Sequence, residues 1–190
     1  MNRIKKRILF SILVCCFLGG IIYLTGWVGG RFGGSVNGFP QQLVPRVLHL
    51  TPQTVQVCQQ LNAFIGVRPG VGPQKTHYNR PEFDKLLSYI YYPDKSPGDW
   101  MVNGTGVGTL YFVHLPKNDP ALRQYERAWM VKVVNDFIEH PLPVIRWEAA
   151  HIVDVQHLKR AVPALQSALK VEKNPVVAKE IRAAIKACNK

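Results

Sequence analysis

Two proline-led stretches of this chain spell related sequences at a fixed offset of 32 residues: Pro143-Val-Ile-Arg-Trp-Glu-Ala-Ala150 and Pro175-Val-Val-Ala-Lys-Glu-Ile-Arg182. Pro, Val and Glu coincide, and Ile145 answers to Val177. The apolar positions correspond as well, with Ile145, Ala149, Ile152 and Val153 set against Val177, Ile181, Ala184 and Ile185. Spacings of three and four put each set on one helix face. Between the copies, Ala161 to Lys170 makes a shorter helix with Val162, Leu165 and Leu169 on one side. A period in this range marks helical hairpins that cannot bury their apolar faces alone and must stack.

Proline marks other helix starts. It is tolerated in a first helical turn because its missing N–H has no intrahelical acceptor there. Thr51-Pro52, Arg80-Pro81, Asp119-Pro120 and Asn174-Pro175 each precede an apolar-periodic run, and Thr51, Asp119 and Asn174 are good N-cap residues. The predicted helices are 52–65, 81–91, 120–139 and 175–188. On the third, Leu122, Tyr125, Trp129, Val133 and Phe137 form one stripe and Met130, Val134 and Ile138 an adjacent one, so neighbours should pack it on two sides.

Residues 66–80 carry Gly66, Pro69, Gly70, Gly72 and Pro73 and read as loop. The stretch 93–108 reads as broken too, with Asn103-Gly104 turning a small β-hairpin near 100–114 between Trp100–Val102 and Thr109–His114. Its glycines match neither phosphate-binding motif and read as turn residues. Asn103-Gly104-Thr105 spells a glycosylation sequon, meaningful only in a eukaryotic secretory pathway. The fold class expected is mainly α.

Arg146-Trp-Glu-Ala-Ala150, Lys159-Arg-Ala-Val-Pro-Ala-Leu-Gln-Ser-Ala-Leu169 and Asn174-Pro-Val-Val177 together resemble a HEAT-like repeat of the subtype also found in phycobilin lyases. The resemblance spans about 143–188, one repeat and the first helix of another, with 120–139 as a preceding helix. It implies stacked α-hairpins and a partner-binding surface, and little about activity. A stack this short needs a cap, a role that falls to 41–119. The deoxyhypusine hydroxylases resemble this layout but hold iron through His-Glu pairs at the helix starts. The matching places here are Trp147-Glu148 and Lys179-Glu180, which lack the imidazole.

The N-terminal part is of another kind. Met1–Arg7 is basic, and Ile8–Val28 is a run of 21 residues without a charge. As a helix it would cover roughly 30 Å, enough to cross a hydrocarbon core. An uncleaved signal anchor is expected over 1–30, because the run is longer than a secretory signal's apolar region and no A-x-A cleavage pattern follows it, with a cleaved signal as the alternative. Arg3, Lys5, Lys6 and Arg7 would hold the N-terminus in the cytoplasm and place the rest outside, in the periplasm of a bacterium. Cys15 and Cys16 fall within the apolar run, and residues 31–40 read as a Gly-rich tether.

The formal charge of +12 resolves along the same lines. Residues 1–40 hold five bases and no acid, and 159–190 hold eight bases and two acids. The middle is nearly neutral, so no broad basic field invites nucleic acid. The sequence therefore reads as a binding protein: a membrane-anchored adaptor or accessory subunit of an envelope complex, with a protein partner. The expected contact residues are Trp147, Lys159, Arg160, Lys170, Lys173, Lys179, Arg182 and Lys186. No cofactor or resident metal is expected. Glu148 and His151 lie three apart on one helix, two metal ligands without a third, and read as a helix-surface hydrogen bond. The remaining histidines (His49, His77, His114, His140 and His157) form no metal-binding spacing. The other class of function is a small envelope enzyme, lyase-like or metal-dependent, built on the His77–Arg80 loop or the His114 region. Cys58 and Cys188 sit on apolar faces and read as buried thiols, with a disulfide as the alternative.

Overall fold

A computed structural model of the chain describes residues 50–67, 73–93 and 99–190, together with Pro40 and Leu43. The apolar run at 8–28 and the tether before Pro40 lie outside them. No helix among the described residues is long and apolar enough to cross a membrane.

Those residues form helices joined by short connections, with no strand. In chain order they are α1 (Pro52–Ile65), α2 (Arg80–Ile90), α3 (Trp100–Thr109), α4 (Pro120–Phe137), α5 (Pro143–Gln156), α6 (Val162–Val171) and α7 (Pro175–Cys188). Tight 3-10 turns at Leu110–Phe112 and Lys159–Ala161 follow α3 and precede α6.

The helix starts lie where proline and a capping residue put them. The Thr51 hydroxyl accepts the Thr54 N–H at 3.1 Å, and the Asp119 carboxylate accepts that of Leu122 at 2.8 Å. The Asn174 side chain accepts from Val176 and Val177 at 3.0 and 3.3 Å. At α2 the cap is Asn79, one residue before the Arg80-Pro81 pair, and it forms a reciprocal capping box with Glu82. α1 stops at Gly66, whose φ of +65° is the left-handed conformation that glycine adopts without a Cβ clash.

α5 is the central element. It packs on α7, α4 and α3 and also touches the Leu110–Phe112 turn, while α6 covers α7 and α1 and α2 cover α3. The repeat-related faces meet here: Ile145, Ala149, Ile152, Val153, Val177, Ile181 and Ala184 are fully buried, and Ile185 is half-buried. On α4 the stripe of Met130, Val134 and Ile138 is buried. Leu122, Tyr125 and Trp129 of the other stripe are half-buried, and they face α2 through a Tyr125 hydroxyl bond to Asp84 and a Tyr91–Trp129 ring contact.

Residues 100–112 correct the expected β-hairpin. They form α3 and its 3-10 continuation, and Asn103-Gly104 lies inside the helix rather than at a turn. The glycines serve close helix packing. A Cβ on Gly106 would stand 2.9 Å from Ile90 Cγ1 and 3.1–3.2 Å from Ile90 backbone, and one on Gly104 would stand 3.4 Å from Glu148 Oε2. α3 is buried over nearly its whole circumference, including Val102, Asn103, Gly106 and Val107. A helix enclosed on all sides carries no polar face, so its sequence lacks the period that identifies a helix. The Asn103 amide donates to the carbonyls of Ile90 and Tyr92 at 2.8 and 2.9 Å and closes the C-terminus of α2.

Gln156, the last residue of α5, fixes the turn after α3. Its amide nitrogen lies 2.9, 3.3 and 3.1 Å from the carbonyl oxygens of Leu110, Tyr111 and Val113. Arg146 performs a similar task at the other end of α5. Its guanidinium takes Glu172 in a fork at 2.7 and 3.0 Å and donates to the carbonyls of His140 and Pro141 at 2.7 and 2.9 Å. Glu172 also accepts the Asn174 N–H at 2.7 Å, so one arginine ties the α4–α5 connection to the start of α7.

Candidate functional site

The seven basic residues expected on the contact surface are all exposed, but they do not share one face. Lys159 and Arg160, on the turn before α6, line a cleft of about 670 Å³ with Arg123, Gln124 and Arg127 of α4 and with His157. Arg182 and Lys186 line a second, of about 440 Å³, with Leu169, Ile185 and Lys190. Lys173 borders a third, of about 410 Å³, with His140, Arg146 and Glu172. Lys170 and Lys179 line none of these three.

The first cleft is the most strongly charged. Four cationic side chains and no carboxylate border it. Arg123 is held by the carbonyls of Pro116 and Lys117, and Arg127 reaches the His157 carbonyl at 3.2 Å. The side chains of Lys159 and Arg160 form no hydrogen bond or ion pair among the described residues. Arg123 and Arg127 escaped the sequence reading because their helix was judged by its apolar stripe. Their spacing of four on α4 was the available signal.

Trp147 corrects the expected contact set. It is 3 % exposed and its ring stacks on His151 at 4.7 Å between centroids, 17° from parallel. It is core, not contact surface. The expected surface pair Glu148–His151 is corrected in the same place. Both are buried, 3 % and 6 % exposed, and His151 Nδ1 meets Glu180 Oε1 of α7 at 2.7 Å instead. Glu148 Oε2 is buried with no hydrogen-bond partner, and burial holds its carboxyl far above the ordinary carboxylate range. Tyr111 stands edge-on to His151 at 4.8 Å. Its buried hydroxyl also lacks a hydrogen-bond partner and is pushed well upward, first by burial and then by the charges of Glu148 and Glu180. Asp154, half-buried and one turn beyond His151, completes a group in which His151, Asp154 and Glu180 each bring one ligand atom within 4.8 Å of the others. Glu148 and Glu180 occupy the same place in the two 32-residue copies, an acid amid apolar neighbours in each, and that pattern was the legible sign of a buried polar layer.

The residues of the enzyme reading converge only in part. The rings of His77 and His114 lie 5.2 Å apart at 72°, both exposed, and the His114 N–H donates to the Thr76 carbonyl at 2.7 Å. Arg80 is turned onto the face of Tyr125, 4.3 Å from the ring centroid. Cys58 and Cys188 are free thiols. Burial, then the nearby Asp99 charge, pushes Cys58 up to about 12, which suppresses the thiolate a nucleophile requires. The chain matches no family model, no curated protein and no solved structure, so its own geometry carries the functional reading.

Proposed function

We propose that the chain is a membrane-anchored, extracytoplasmic HEAT-like repeat protein that serves as a protein-binding adaptor or accessory subunit of an envelope complex. The cleft formed by Arg123, Arg127, Lys159 and Arg160 is its contact site, and an acidic segment of the partner is what it takes. The observation that carries this reading is the collection of four cations without a carboxylate around one cleft. The side chains of two of them, Lys159 and Arg160, have no partner among the described residues, as a surface built to meet an external anion requires. The paired proline-led helices α5 and α7 support the repeat assignment. The anchor and its orientation rest on the apolar run Ile8–Val28 and its basic flank.

The test is co-purification of the full chain in mild detergent at native expression, beside the double variant Lys159→Glu/Arg160→Glu. A stoichiometric protein partner is expected with the parent chain and lost with the variant, while the circular dichroism spectrum stays unchanged. A clean monomer, or a partner retained by the variant, refutes the assignment. A C-terminal reporter fusion active on the cytoplasmic side would overturn the topology.

A further inference from the structure

Between α5 and α7 the chain brings together donors of a particular chemistry. One ring nitrogen of His151, a carboxylate oxygen of Asp154 and one of Glu180 lie within 4.8 Å of one another. One imidazole nitrogen with two carboxylate oxygens suits a divalent first-row metal. With three protein ligands, zinc leaves its fourth tetrahedral position to water. Bond lengths of roughly 2.0–2.2 Å place tetrahedral ligand atoms about 3.4 Å apart. The 2.7 Å contact between His151 and Glu180 then opens slightly, and Asp154 closes in. Asp154 has the freedom to do so, since it is half-buried while the other two side chains are 8 % and 5 % exposed.

The polar surroundings point the same way. Two glutamates are buried here, Glu148 on α5, whose carboxyl burial keeps protonated, and Glu180 on α7, which meets the His151 imidazole, with Asp154 beside that pair. Among the described residues no lysine or arginine forms an ion pair with any of the three. Two polar atoms of this layer, Glu148 Oε2 and the Tyr111 hydroxyl, are buried without hydrogen-bond partners, which costs free energy. The surroundings also hold the imidazole in place: Trp147 stacks on its face and Tyr111 abuts its edge.

We propose that His151, Asp154 and Glu180 form a site for a divalent transition metal of the zinc class, which staples α5 to α7 and keeps a coordination position open toward Asp154. The site is independent of the partner cleft. The test strips the full chain with a chelator in mild detergent, titrates it with Zn²⁺ by calorimetry, and measures metal retained after desalting. One Zn²⁺ per chain is expected, and a Co²⁺-loaded sample should show the visible absorption of a tetrahedral site. Asp154→Asn keeps the His151–Glu180 bond and so preserves the fold. It should weaken Zn²⁺ binding roughly tenfold or more, as should Glu180→Gln. The double variant His77→Ala/His114→Ala, which removes the exposed histidine pair, should bind as the parent does. Absence of stoichiometric uptake overturns the proposal. So does uptake that survives Asp154→Asn, or uptake that disappears with His77 and His114.

Discussion

Glu126 offers a quantitative test of how this core handles charge. It sits on α4, 1 % exposed, and its Oε2 has no hydrogen-bond partner. Burial first, then the Asp119 charge, raises its carboxyl from 4.5 to about 7. The folded protein therefore keeps the proton through a window in which the unfolded chain has already released it. The stability tied to this proton is full below pH 4.5 and is lost as the pH rises from there through about 7. Each tenfold change in proton affinity is worth about 1.4 kcal/mol, so the loss reaches at most roughly 3 kcal/mol by pH 8. Glu126→Gln mimics the protonated acid and never ionises. Its stability should match that of the parent near pH 4.5 and exceed it by roughly 1–3 kcal/mol at pH 8. For a chain of this size that is about 2–4 °C in Tm per kcal/mol. Urea denaturation followed by circular dichroism at pH 4.5, 6 and 8 measures the gap. A gap that stays constant across this range, or that favours the parent at pH 8, refutes the argument.

Arg146→Ala strands Glu172. Burial alone would raise that carboxyl, but the hydrogen bonds from Arg146 and the backbone hold it below the usual range, and its side chain is 3 % exposed. Loss of roughly 3–5 kcal/mol is expected by denaturant titration, and Arg146→Ala/Glu172→Gln should recover part of it. Gly106→Ala drives a methyl into Ile90 and should cost roughly 1–3 kcal/mol, with Ile90→Ala in the same chain removing the contact with Cγ1 but not those with the Ile90 backbone.

The helix starts of α1, α4 and α7 were legible because their signals are local: a capping side chain and a proline whose chemistry acts within one turn. α5 and α7 were legible from self-similarity. α3 was not, since its glycines are explained only by Ile90 and Glu148, residues from other helices. The polar layer failed for a related reason. Glu148 and His151 suggested a pair on their own helix, yet the partner of His151 is Glu180, 29 residues away. Trp147 belongs to the core through its stacking on His151, a contact that no local pattern of residue types spells out. The basic residues of the last 32 positions are exposed, but which of them border a cleft depends on how α4, α6 and α7 meet.

The central place of α5 changes what the last helix is. In an extended array of repeats, each unit touches its neighbours, and an end unit can peel away while the rest persists. α7 instead closes over a helix that also receives α3 and α4, and its removal would bare Ala149, Ile152 and Val153 and strip His151 of its partner Glu180. The C-terminal copy is thus no detachable module but a wall of the common interior, and the domain should melt as one cooperative body rather than unzip from its end.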